Sequence, residues 1–317
     1  MRISSRTLVD HVLVNLQRNY ARLDRLQQQL SSGKRVSFPS DDPASATTAM
    51  RLHTAVLDNQ QYIKNTDAAI GWLETTDAAL QDIVSALHSA REITIAGARS
   101  DLPDDARRAY AEKMDQLIRH IVQAANTSHD GRYVFAGTKT VFAPSDPASK
   151  PYEIDETSGF VDAVRFYGND KEFTYEVGAG VKHGVNVSGA FAFGHEVPIN
   201  PAVPLAQGLF PALIDTRNDL EAGDVTRLSG TDLENLDKAL EQVLQALDRV
   251  GARQEGFQLI QQRLQGQDVN LQDLLSKAED LDVPKAIMDL QMQENVYRLA
   301  LASGARIIQP TLLDFLK

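Results

Sequence analysis

Seven histidines, His11, His53, His88, His120, His129, His183 and His195, are the obvious residues to test for chemistry in this 317-residue chain. No two of them stand at the helical spacing that lets imidazoles grip one metal ion, as in H-E-x-x-H. They read as solvated or core residues. Cysteine is absent, which excludes disulfides, thiolate metal sites and a cysteine nucleophile. Gly178, Gly180 and Gly184 superficially suggest a phosphate loop. The stretch after them, VNVSGAFAFG, is strand-like and offers no helix N-terminus to an anion. They read as turn glycines. Asp280, Asp282 and Asp289 lack the glycine and closing glutamate of a calcium loop and read as cap and elbow residues. Asn126-Thr127-Ser128 and Asn186-Val187-Ser188 fit a glycosylation acceptor tripeptide, a pattern common by chance. Ser31-Ser32-Gly33 lacks the G-x-S-x-G context of an activated serine. The sequence therefore supplies no catalytic residue, no metal ligand set and no reason for a cofactor. An enzyme, with a hydrolytic site in the central region, is a distant alternative.

What the sequence supplies instead is helix. Val9, Leu16, Leu23 and Leu30 recur every seven residues, with Val12, Leu13, Tyr20 and Leu26 between them, a seam for helix-to-helix contact. The seam stops at LSSGKRVSFPSDDPASA, residues 30–46. Gly33 signals a helix end, and Pro39 and Pro43 bar continuation. Asp42, beside Asp41, is a candidate N-cap with Pro43 at the first helical position. This predicts a flexible polar elbow. A helical pattern then runs from about 44 to 98, about 80 Å at 1.5 Å per residue, too long for an ordinary globular helix. A further helix follows, from about 104 to 128.

Composition changes at Gly131. Between there and Phe210 lie twelve of the twenty aromatic residues and ten of the nineteen glycines. Alternation at 133–135, 161–167, 173–177 and 185–187 predicts antiparallel strands, with a hairpin at 131–142. Helix resumes at about 209–222 and 232–281, the latter with Gln254, Gln261 and Asp268 at seam positions. Asp282-Val283-Pro284 makes a second elbow. A last helix presents Ile287, Leu290, Tyr297, Leu301, Ile308, Leu312 and Phe315, with Gly304 allowing close approach.

The order is nearly palindromic, and the fold expected is mainly α: a long antiparallel coiled-coil or helical-bundle rod formed by the N- and C-terminal halves, with a small β-rich insertion. Three domains are expected: 1–42 with 283–317 as a terminal coiled coil; 43–142 with 208–282 as the rod and its hairpin; and 143–207 as an outward-facing, removable insert. Helices as short as the terminal pair are marginal alone, so their seams should pack against neighbouring subunits, and they are expected to order only on assembly.

Charge is uneven. Residues 1–35 carry seven Lys/Arg against Asp10 and Asp24, while the whole chain stands at −11, so the body is acidic and nucleic acid is not an expected partner. No apolar run reaches the length of a bilayer span, and the amphipathic N-terminus lacks a signal-peptide core.

The elbow motif LSSGKRV followed by SDDPA, together with QYIKNTDAAIGWLETTDAALQDI (61–83) and GRYVFAGTKT (131–140), resembles the flagellin superfamily, and within it the hook-associated junction branch. Flagellins carry a DDAAG-type run where this chain has Pro39 and Pro43. The resemblance implies a structural subunit of the bacterial flagellum, an adaptor at the hook–filament junction, with flagellin itself as the alternative. It implies packing against hook-associated protein 1, flagellin and a ring of its own copies. It also implies a cytoplasmic export chaperone on the C-terminal region, and secretion through the type III apparatus without a cleaved signal.

Overall fold

The computed structural model describes residues 5–36, 38–40, 42–142, 148–156, 159–196 and 204–308, with the side chains of 5–9 and 306–308 excepted. The fold is mainly α, with three small antiparallel strand pairs among the described residues. The chain divides into two compact units, Met1–Asn59 with Gly266–Lys317, and Gln60–Gln265.

The helices are α1 (Ser5–Ser32), α2 (Pro43–Gly97), α3 (Asp104–Ala125), α4 (Gly189–Phe193), α5 (Leu209–Ala222), the short α6 (Val225–Arg227), α7 (Leu233–Glu279) and α8 (Val283–Ile308). A π turn, Leu228–Asp232, joins α6 to α7. The strands are β1 (Ser128–His129), β2 (Arg132–Tyr133), β3 (Tyr152–Glu156), β4 (Val161–Phe166), β5 (Thr174–Gly178) and β6 (Val181–Gly184), paired β1–β2, β3–β4 and β5–β6.

Unit 60–265 has one hydrophobic core. Steps of three and four along α2 bury Ala69, Trp72, Leu73, Leu80, Ile83, Leu87 and Ala90. Thr66, Thr76 and Thr94 share that face, and each hydroxyl donates to the carbonyl four residues back at 2.8 Å, so their burial leaves no orphan. Met114, Ile118 and Ile121 of α3 and Val243, Ala246, Val250 and Phe257 of α7 complete the helical part. Gln261, polar on an apolar seam, donates to Asp67, a pairing that fixes register.

The strand region belongs to this same core. Tyr152, Phe166, Phe193 and Phe210 stack with ring centroids 4.8–5.6 Å apart, and Phe173 meets Trp72 of α2 edge-on at 4.9 Å. Asp115 of α3 accepts from the amide of Val161 at 2.8 Å, and Arg217 of α5 donates to the Val161 carbonyl at 2.9 Å. Asp115 and Arg217 are themselves 3.2 Å apart and buried, so an ion pair pins the start of β4 between two helices. The described part of 143–207 thus places Tyr152, Phe166 and Phe193 in the core shared with the helices.

Three strand expectations need correction. Residues 185–187 form no strand, because Asn186 turns its amide inward, accepting from the amide of Phe173 and donating to the Lys171 carbonyl. The strand lies just before, at β6, with Gly180 at φ 72 in the tight turn from β5. β3 carries no clear alternation and goes undetected by pattern. The hairpin expected at 131–142 pairs only Ser128–His129 with Arg132–Tyr133.

Candidate assembly surface: the terminal helices and their elbows

Within the unit 1–59 with 266–317, α1 lies against α8. On α1 a half-buried stripe runs through Val12, Leu16, Asn19, Leu23, Leu26 and Leu30 in alternating steps of four and three, with Gln29 half-buried beside it. On α8 they are Ala286, Leu290, Gln293, Tyr297, Ala300 and Gly304, in the same rhythm, Ala286 and Gly304 being fully buried. Tyr20 and Tyr297 stack at 6.2 Å, and the Gln293 amide donates to Asn19 at 3.4 Å. The seam is mixed: apolar on α1, small and polar on α8.

The expected packing residues fall into three groups. Leu16, Leu23, Leu30, Leu290 and Tyr297 lie on the α1–α8 seam. Ile287 and Leu301 do not; each stands one position away and is 44% and 45% exposed. The side chains of Val9 and Ile308, and Leu312 and Phe315 entirely, lie outside the described residues. Sequence reading passed over Ala286, Gln293 and Ala300, whose spacing was present but whose side chains are not large and apolar.

α8 shows its large apolar residues to solvent: Met288, Met292, Val296 and Leu299 join Ile287 and Leu301 in exposure. Leu13, Val14 and Tyr20 do the same on α1.

The two elbows are bonded to each other. α1 ends at Gly33, whose φ of 70 is the left-handed C-terminal conformation that glycine takes freely. The Arg35 amide donates to the Glu279 carbonyl at 2.7 Å, and the Leu281 amide to the Gly33 carbonyl at 3.0 Å, closing an antiparallel bridge at Lys34 and Asp280. Glu279 holds Lys34 at 2.9 Å on one carboxylate oxygen and His53 Nε2 at 3.0 Å on the other. Partial burial works to raise its pKa, but the hydrogen bonds from Lys34 and His53 prevail and lower it. Arg35 donates to the Ala278 carbonyl at 3.0 Å and to Ser45 at 3.2 Å.

Asp42 caps α2, accepting from the Ser45 amide at 3.2 Å, with Pro43 as the first helical residue; hydrogen bonds from Ser45 depress its pKa. Asp282 does the same for α8 through the Lys285 amide at 3.2 Å, with Pro284 in the first turn. Pro39 lies in the turn between the helices, and Asp41 lies outside the described residues. Instead of a loose joint, the elbows form a hydrogen-bonded crossing.

Among the described residues no group of three or more His, Cys, Asp or Glu could hold a metal ion. Both glycosylation tripeptides have their asparagine amides engaged: Asn126 pairs with the Tyr152 backbone, donating at 2.8 Å and accepting at 2.9 Å, and Asn186 is bonded as described above. No described helix is long and apolar enough to cross a membrane.

Comparison with known proteins gives this surface a context. Residues 3–140 match the family model for the bacterial flagellin N-terminal helical region. The resemblance to the flagellin superfamily read from the elbow and rod motifs is therefore sound. Within that superfamily the chain is similar to flagellar hook-associated protein 3: that of Salmonella typhimurium is 33% identical over 159 residues, 50% of this chain and 50% of that protein. The chain spans about half the length of the hook-associated relatives it matches. A flagellin of Bacillus subtilis is 23% identical over an alignment covering 98% of this chain and 96% of its own. A solved structure from Vibrio parahaemolyticus, of a protein assigned as flagellar hook-associated, agrees with TM-score 0.63 at 18% identity, over 76% of this chain and 100% of that one. At that identity the likeness concerns the fold.

Proposed function

We propose that this chain is a structural, non-enzymatic subunit of the bacterial flagellum, the adaptor between hook and filament. The observation that carries the reading is the outer surface of α8. Six large apolar side chains, Ile287, Met288, Met292, Val296, Leu299 and Leu301, stand 42–70% exposed on one 26-residue helix. A chain that stayed alone in water would not keep so apolar a helix uncovered, whereas packing among like helices in a tube buries it. Neighbours would be further copies of the chain in a ring, hook-associated protein 1 on one side and flagellin on the other. Before export a cytoplasmic chaperone would cover the C-terminal region, and the type III apparatus would secrete the chain without cleaving a signal.

Flagellin itself is the second reading, favoured by the near full-length match to the Bacillus subtilis protein. Electron microscopy of the purified chain separates the two. The adaptor should form no filaments alone but should seed filament growth when flagellin is added. Filaments from the chain alone would establish flagellin instead. Leu299→Asp, on the exposed side of α8, should abolish seeding while leaving the melting temperature unchanged. Seeding by that variant at the wild-type level would detach assembly from this surface.

A further inference from the structure

Between α6 and α7 the backbone takes a five-residue π turn, and Asp232 closes it. π turns are rare, and one that persists needs a reason. Asp232 is 1% exposed, and neither of its carboxyl oxygens has a hydrogen-bond donor. An ionised carboxylate so placed would cost several kcal/mol. Asp219 of α5, also buried, lies within hydrogen-bonding reach of it. Arg227 Nε stands 3.1 Å from an Asp219 oxygen, close enough for charge attraction but not aligned for a hydrogen bond.

The other charged groups nearby do not supply what is missing. Asp215 of α5 adds negative charge. Asp224 is occupied capping the amides of Thr226 and Arg227. Glu234 at the start of α7 pairs with Lys238. Arg107 of α3, beside Gly223, spends its two terminal nitrogens on Asp104 and the Arg99 carbonyl, and its buried Nε meets no acceptor, the Asp219 and Asp232 oxygens included.

We propose that Asp219 and Asp232 share one proton, carried by Asp232 and donated to Asp219, and that this proton fastens the π turn to α5. One O–H···O bond to an ionised acceptor then gives the orphaned Asp219 oxygen a donor and removes the charge from Asp232, a charge-assisted and hence strong arrangement. Arg227, 3.1 Å from Asp219, favours negative charge on that side of the pair. Burial first, and the hydrogen bond and charge of Asp219 next, push the Asp232 pKa up to about 6 from 3.8. The folded chain therefore holds, between about pH 4 and 6, a proton that the unfolded chain has released. The stabilisation is complete below about pH 4 and is lost as pH rises through about 6.

The test is thermal melting of the full chain and of Asp232→Asn across pH 4 to 8. The asparagine amide donates permanently where the proton does so only in acid. The melting temperature of the variant minus that of the wild type should be near zero at pH 4 and rise to a positive plateau by about pH 7, with its midpoint near 5, halfway between the unfolded and folded values. Asp219→Asn, which places the amide on the other member, should flatten the same step. Infrared spectroscopy reads the proton itself: a protonated-carboxyl band present in the wild type at pH 5, gone at pH 8 and missing from Asp232→Asn. A flat difference profile, an Asp232→Asn chain that is destabilised at every pH or does not fold, or a band untouched by the substitution would each overturn the proposal.

Discussion

Gly304 of α8 faces Val12 of α1 so closely that a Cβ added to it would stand 3.0 Å from the Val12 Cγ1. The two terminal helices meet at their nearest where one of them has no side chain. Gly304→Ala should be nearly neutral, since the gain in helix propensity, about 1 kcal/mol, offsets a small displacement of Val12. Gly304→Val should loosen the pair by about 1–3 kcal/mol through overpacking. Hydrogen exchange would show this as faster exchange in 10–30 and 286–304, with 69–90 unaffected. Uniform acceleration along the whole chain would contradict the local contact.

The elbow crossing separates backbone strain from ion pairing. Nothing lies within 4 Å of a Cβ built on Gly33, and its φ is 70, so Gly33→Ala tests conformation alone. It should cost roughly 1–2 kcal/mol. Glu279→Gln removes the Lys34 pair, whose lysine is 44% exposed, and should cost no more than about 1 kcal/mol. Because the folded Glu279 pKa is lowered, its contribution is present above the ordinary value of 4.5 and lost as pH falls below it. Urea denaturation at pH 7 and at pH 3.5 should find the Glu279→Gln penalty only at the higher pH.

His195 gives the opposite slope to the carboxyl pair at the π turn. Its Nδ1 lies 3.1 Å from the Glu196 carbonyl and must donate, so Nε2, 3.0 Å from the Tyr152 hydroxyl, accepts. The ring is neutral, and burial lowers its pKa from 6.5 to about 4. A depressed histidine pKa means that stability is present above about pH 6.5 and lost as pH falls toward 4, by up to about 3 kcal/mol. His195→Gln, which cannot protonate, should lack this slope, read as the wild-type minus variant melting profile. An imidazole titrating near 6.5 by NMR would refute the buried geometry.

Deleting about 145–205 removes Tyr152, Phe166 and Phe193 from a core they share with the helices. A removable insert is the expectation from sequence; the shared burial of these three rings supports the opposite outcome. Each large aromatic lost costs about 3–5 kcal/mol, in sum comparable with the whole stability of an ordinary domain. Circular dichroism of the deletion should show loss of the cooperative melt. A sharp transition near the wild-type temperature would restore the insert as a separate domain.

The helices were legible because burial on one face writes itself as a period. α2, α5 and α7 fall within two or three residues of where the seven-residue spacings put them, and the caps Asp42 and Asp282 act as their positions suggest. The α8 seam was read one position off for a physical reason. Leu290 and Tyr297 do face inward, but the other inward residues are Ala286, Gln293, Ala300 and Gly304, while Ile287 and Leu301 beside them are larger and face out. Searching for bulk therefore finds the outer surface of a helix whose inner surface is small. The embedding of the strands was illegible for another reason. Asp115 and Arg217 stand 102 positions apart in sequence, and no local pattern announces that they meet at Val161.

α1 and α8 are partners with about 250 residues of chain between them, and loop closure over that length costs about 5 kcal/mol by (3/2)RT ln n. On the ribosome this separation becomes time. α1 emerges early and has no seam to join until α8 has been made, so the terminal pair forms last. A chain stalled or cleaved before Val283 would hold an α1 whose Leu16, Leu23 and Leu30 have nothing of their own to cover them. Synthesis through α8 is thus the step that admits the pair, and the outer surface of α8 is presented only by chains that have been extended that far.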